Sequence, residues 1–214
     1  MEGDIKEFIR KIREGGNRPT VIIDETDDSR LFAVVAAITD DPEAFGKIAS
    51  EKRGKGKELK YNSTSRSVKR YMEEKIADHG AEVVGVFVDA QDLPIWWEIA
   101  PGKWAAHQKM IMDLSEDLIK LNTDFDKIII DDNDRTLKKN AGERIIRAYM
   151  DGVREFSHIG QEDSKTGNNK DIQQTADFAI GATGRILRGR NPPETPVRMT
   201  VRNVGKGKQR TRLP

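Results

Sequence analysis

The chain has 214 residues, 37 Lys and Arg against 36 Asp and Glu, a formal net charge of +1 and no cysteine. A charge that balanced does not announce a nucleic-acid binder, so the distribution of charge carries the information. The lack of cysteine excludes disulfides, zinc–thiolate sites, iron–sulfur clusters and cysteine nucleophiles, and three scattered histidines (His79, His107, His158) argue against a histidine-rich metal site. The N-terminal stretch MEGDIKEFIRKIREGG has no apolar centre of the secretory type, and no run approaches the ~18 apolar residues of a membrane span. The expectation is a soluble, cytoplasmic protein with no membrane association.

In chain order, an amphipathic helix is predicted over 2–14, stopped by Gly15-Gly16. A strand over 19–24 (TVIID and its leading Pro) and a second over 31–38 (LFAVVAAI) flank a short acidic turn, which predicts an antiparallel pair. Asp40-Asp41-Pro42 opens a helix near 42–52, with Pro in the first turn. The glycine-broken basic run EKRGKGKELK follows, then a helix to His79 capped at Ser63 or Thr64 and ended by Gly80. The strand EVVGVFV (82–88), an irregular LPIWWEIAPGKW (93–104), a helix over 104–121 and the strand KIIIDD (127–132) come next. A helix near 136–151, a strand near 153–159 and a helix near 171–188 complete the pattern, before a Pro-rich, basic end in which PVRMTVRNV reads as one edge strand.

An antiparallel start followed by right-handed helix–strand crossovers predicts an α/β fold: a ribonuclease-H-like mixed five-stranded sheet flanked by helices, with a helical insertion at 41–80 between strands two and three. One domain is expected over 1–190, with 191–214 as a basic tail. In that topology strands one and four are parallel neighbours. Each is an apolar run that stops at an acid, VIID at Asp24 and IIID at Asp131, at the sheet edge where open α/β sheets place ligands. Two adjacent carboxylates repel unless a cation neutralises them, and carboxylate oxygens suit Mg²⁺ or Mn²⁺. Asp177 on the last helix, with Ala176, Ile180 and Gly184 on a packing face, and Glu58 in KELKY, with Lys60 on the same face of an extended segment, are further candidates. Four acids around two metals match phosphoryl transfer, in which one metal activates water and the other stabilises the leaving oxygen. Lys60 would hold a phosphate or lower the barrier as a positive charge near the oxyanion.

The set VIIDET, ELKY, GVFVD, IIIDD and DSK followed by QQTADFAIGA resembles a family of unassigned function whose first motif is I-D-E-S-G, within the ribonuclease-H-like superfamily. The likeness spans roughly 19–188. It implies acid ligands at Asp24, Glu58, Asp131 and Asp177, and supporting roles for Glu25, Lys60, Ser164, Lys165 and Gln174. Thr26 and Asp27 depart from the motif's serine and glycine.

Each of these residues also has an ordinary explanation. Asp24 and Asp131 are turn acids at strand ends, Asp177 an acid favouring a helix N-terminus, and Glu58 with Lys60 a solvated ion pair. Asp89 also ends an apolar strand and competes with Asp131 as the partner of Asp24. Lys52, Arg53, Lys55 and Lys57 near the site, and Arg202, Lys206, Lys208, Arg210 and Arg212 toward the end, are candidate phosphate contacts or solvated basic segments. Trp96, Trp97 and Trp104 would anchor a loop, stack bases, or form a contact in a homo-oligomer. The combined expectation is a divalent-metal-dependent nuclease or phosphodiesterase, with a non-catalytic nucleic-acid-binding or scaffolding protein as the alternative.

Overall fold

The computed structural model describes residues 3–16, 18–27, 31–53, 58–92, 100–121, 124–130, 141–150, 153–158, 167–189, 194–205 and 210–213. The strands are β1 (Thr20–Asp27), β2 (Leu31–Thr39), β3 (Glu82–Asp89), β4 (Lys127–Ile130), β5 (Glu155–His158), β6 (Arg198–Asn203) and β7 (Arg210–Leu213). The helices are α1 (Gly3–Glu14), α2 (Pro42–Lys52), α3 (Arg66–His79), α4 (Ala100–Lys120), α5 (Ala141–Tyr149) and α6 (Gly167–Leu187). One mixed sheet runs β5-β4-β1-β2-β3-β6-β7. Its first five members are those expected: β1–β2 and β2–β3 are antiparallel, while β1–β4 and β4–β5 are parallel. This is the ribonuclease-H-like arrangement, with α2 and α3 as the helical insertion.

Among the described residues, seven strands stand where five were expected. β6 pairs parallel with β3, and β7 pairs antiparallel with β6. The C-terminal stretch expected to follow the domain therefore extends its sheet, and PVRMTVRNV is flanked on both sides instead of forming the edge. Met199 and Val201 are buried, so apolar alternation on a basic strand is enough to recruit it.

β2 is buried along its whole length, which requires apolar residues on both of its faces. One core layer packs Val21, Ile23, Val34 and Val86 with Leu114 and Leu118 of α4. The other packs Ile22, Val35 and Val83 with Phe45, Met72, Phe178 and Ile180 of α2, α3 and α6. Because strand side chains alternate, this parity sends Asp24 toward α3 and α6, and Glu25 toward α4.

Local signals set several element ends. Asp41 caps α2 by accepting from the Ala44 amide at 2.9 Å. Gly80 ends α3 at φ 82, a left-handed conformation that suits glycine. The cap of α3 is Ser65, which accepts from the Val68 amide, one or two residues later than Ser63 or Thr64. Among the described residues, no helix is long and apolar enough to cross a membrane.

Candidate active site

β1 does not stop at Asp24. It continues to Asp27 against β2, and within the described residues its parallel ladder with β4 reaches Ile23↔Ile130. Asp24 follows directly, with one Oδ accepting the Glu25 amide at 2.7 Å. It lines a cleft of about 1260 Å³ between β1, α3 and α6, together with Lys60, Tyr61, Arg66, Lys69, Arg70, Asp177, Arg185 and Arg188. Asp24, Lys60 and Asp177 are therefore brought together. Asp131, Ser164 and Lys165 lie outside the described residues.

Asp177 is not at a helix start. α6 begins at Gly167, so the macrodipole explanation does not apply, since that effect fades within the first turn. Its Oδ2 accepts the Tyr61 amide at 2.6 Å. Three residues earlier, Gln174 accepts the Leu59 amide at 3.0 Å. Thr175 donates to the Phe45 carbonyl at 2.9 Å and accepts from the Ala49 amide at 3.2 Å. The sequence QTAD thus ties the insertion to α6. Neither the chain at Leu59 nor the first residue of the 3-10 turn Tyr61–Ser63 finds an acceptor of its own for its amide, and here Gln174 and Asp177 supply both. Glu58 and Lys60 flank Leu59 as an exposed pair 3.4 Å apart.

Burial raises the Asp177 carboxyl above the ordinary aspartate value of 3.8; the Tyr61 amide and Lys60 oppose this, and Glu58 adds to it. A raised folded-state pKa means that the folded chain holds the proton more tightly than the unfolded one. The associated stability is full below the unfolded value and is lost as pH rises through the folded pKa. Asp177→Asn keeps a carbonyl acceptor for Tyr61 and cannot ionise. Urea unfolding from about pH 4 to about pH 8 should show wild type losing stability relative to this variant as pH rises. Curves that stay parallel would remove the burial argument.

The cleft wall is built on Tyr61, whose hydroxyl accepts from Arg185 Nε at 2.9 Å. Arg185 Nη2 donates to Glu73 at 2.7 Å and Nη1 to the Glu194 carbonyl at 3.3 Å. Burial pushes the Tyr61 phenol up, against the pull of Arg185, so it remains a neutral acceptor. On the rim, Arg188 donates to Thr26 at 2.7 Å. Sequence reasoning missed Tyr61, Glu73, Arg185 and the basic row on α3. Tyr61 in ELKY was the one available signal, an aromatic inside a charged stretch.

Other expected residues go elsewhere. Glu25 faces α4 and sits 3.2 Å from His107, whose side chain is buried. Asp89 shares the face of Asp24, but Asp24 is level with Gly85 through Val35. Asp89 is four residues further along, on the order of 13 Å at ~3.3 Å per residue. Arg202 turns inward, donating to Asp117 at 2.8 Å and to the Asp113 carbonyl at 3.0 Å, so it braces β6 against α4 instead of facing a phosphate. Arg53 pairs with Asp171, and Lys52 lies 3.9 Å from the centre of the Tyr71 ring. Lys55, Lys57, Lys206, Lys208, Trp96 and Trp97 lie outside the described residues, as do the side chains of Trp104, Arg210 and Arg212.

No protein-family model and no curated protein matches the chain. Solved structures do match. One is a mutant of Bst-RNase HIII, at 15% identity and a TM-score of 0.45 over 81% of this chain. The chain spans 55% of the length of that structure.

Proposed function

We propose that the chain is a divalent-metal-dependent nuclease or phosphodiesterase acting on nucleic acid through Asp24, Asp131 and Asp177; Glu58, exposed and paired with Lys60, is not grouped with Asp24 and Asp177. The observation that carries this reading is that Asp24 and Asp177, supplied by β1 and α6, line one cleft that also holds Lys60, Arg66, Lys69 and Arg70, beside Glu73 and Glu74. The donors are all carboxylate oxygens, the chemistry that Mg²⁺ or Mn²⁺ takes. Among the described residues, no three His, Asp or Glu side chains are grouped to hold a metal ion. Asp24 and Asp177 therefore need a third ligand, and Asp131, the residue after β4, is the candidate. When bound, the ion would supply activation of water and stabilisation of the leaving oxygen. The chain's own part is to orient. The Tyr61 and Leu59 amides, held by α6, fix Lys60 beside the carboxylates, where its ammonium would pair with a substrate phosphate. Asp24, anchored on a strand, presents its carboxylate from a rigid support.

With Mg²⁺ or Mn²⁺, cleavage of at least one member of a panel of single-stranded, duplex, hybrid and branched DNA and RNA is expected. Asp24→Asn should lower the rate ~10²-fold or more, the scale seen when one electrostatic group is removed from an active site. Equal cleavage by wild type and variant would sink the assignment. A second reading, a nucleic-acid-binding or scaffolding protein without catalysis, is favoured by the use of Asp177 and Gln174 to hold main-chain amides. It expects binding that is steeply salt-dependent and needs no metal, with no cleavage of any member of the panel.

A further inference from the structure

The first turn of α3 carries Arg66 and no acid, and Lys69 and Arg70 follow one turn on. Helix N-termini bear partial positive charge and favour acids, so these cations stand against the local electrostatic preference. Departures of that kind cluster where function requires them. All three line the cleft that holds Asp24 and Asp177. Lys69 Nζ lies 4.4 Å from the centre of the Tyr61 ring, and the Tyr61 amide is bound by Asp177, so the row ends on the Asp177 side of the cleft. Residues spaced i, i+3 and i+4 share a helix face, and a turn advances about 5.4 Å. The face thus offers Arg66 and, one turn on, Lys69 and Arg70 as two successive steps of positive charge before Glu73 and Glu74 close the row in the same cleft, which suits adjacent phosphates of a polyanion better than a single phosphate. Arg70 pairs with Glu74 at 2.8 Å where both are exposed, a contact weak enough to exchange.

We propose that Arg66, Lys69 and Arg70, continued by Lys60, form a track for the phosphate backbone of one nucleic-acid strand and lead it to the carboxylates. This deepens the nuclease reading by naming the surface that holds the substrate. It also makes that hold independent of base sequence, because phosphate contacts position a strand without reading it.

The test is binding of fluorescent single-stranded and duplex DNA and RNA of one length, in EDTA, across a salt series. The full chain is compared with Arg66→Ala/Lys69→Ala/Arg70→Ala and with a charge-matched control, Arg10→Ala/Lys11→Ala/Lys47→Ala, on the exposed faces of α1 and α2. Each phosphate contact contributes ~0.9 to the log–log salt slope on duplex and ~0.7 on a single strand. The α3 variant should flatten the slope by about 2 to 3, with an unchanged or raised melting midpoint, and the control should not. An unchanged slope, equal flattening in both variants, or no binding of any probe by wild type at low salt overturns the proposal. Should the triple variant unfold, Arg66→Glu, which favours the helix N-terminus, gives the same readout. Because the measurement needs neither metal nor cleavage, the track can hold while the nuclease reading fails, and the reverse.

Discussion

Arg185→Met is expected to destabilise the protein by about 3–5 kcal/mol, the scale on which one-sided removal of a buried ion pair acts. The side chains of Arg185 and Glu73 are 10% and 6% exposed, so the loss would leave a carboxylate in the core beside a phenol that has lost its donor. For a chain of this size that predicts a fall in melting midpoint on the order of 10 °C. The double variant Glu73→Leu/Arg185→Met should recover much of it, because an apolar pair of similar volume avoids the desolvation penalty. Thermal melts of the three proteins measure both the loss and the recovery. A single variant within about 1 kcal/mol of wild type would mean that water reaches Glu73.

Gly181→Ala is the second. Alanine is favoured over glycine inside a helix by ~0.8–1 kcal/mol, so propensity alone predicts a more stable protein. The opposite is expected here. A β-carbon at 181 would fall 2.3 Å from Tyr61 Cγ and 2.4 Å from Cδ1. The ring cannot step aside freely: its edge contact with Phe178 has centroids 5.7 Å apart, its hydroxyl is held by Arg185 and its amide by Asp177. Overpacking of this kind costs about 1–3 kcal/mol. Gly184→Ala provides the internal comparison. Its β-carbon would meet the far end of Arg188 at 2.4 Å and Thr26 Oγ1 at 3.0 Å, and the Arg188 end is a flexible chain that can swing away. Denaturant unfolding should therefore rank Gly181→Ala below Gly184→Ala in stability, and equal values would show that Tyr61 is not seated as described. If the cleft binds nucleic acid, Gly181→Ala should also weaken that binding, because moving Tyr61 shifts Lys60 and releases the amide from Asp177.

Both predictions concern one assembly, and it joins segments far apart in the chain. Tyr61, Glu73, Asp177, Gly181 and Arg185 meet because α6 packs against the insertion through small residues. Ala176 and Ala179 are fully buried, and Gly181 admits the aromatic ring. The same contact sets where Lys60 and the α3 cations stand relative to Asp24. The stability of the clamp and the shape of the candidate site are thus consequences of one interface.

The order and type of the elements from α1 to α6 were legible in the sequence because their signals are local, whereas β7 fell in a stretch read as a basic tail. Continuous apolar runs mark β1, β2 and β4; Pro42 and Gly80 mark helix ends; the short acidic turn joins an antiparallel pair. From that order the placement of β1 beside β4, and of Asp24 at the candidate site, followed by topology alone. The rest depended on packing. Whether Asp24 or Glu25 faces the cleft is a matter of strand parity, which is decided by which apolar set meets α6. Whether Arg202 reaches phosphate or turns to Asp117 depends on α4 lying over β6, and no window of sequence contains both. Gln174 and Asp177 read as site residues, yet their hydrogen bonds go to main-chain amides at 59 and 61, whose need for acceptors appears only once that segment is held against a helix. Local sequence determines backbone conformation through sterics and periodicity, whereas the partners of polar side chains are chosen by whichever elements the collapse of the two core layers brings into contact.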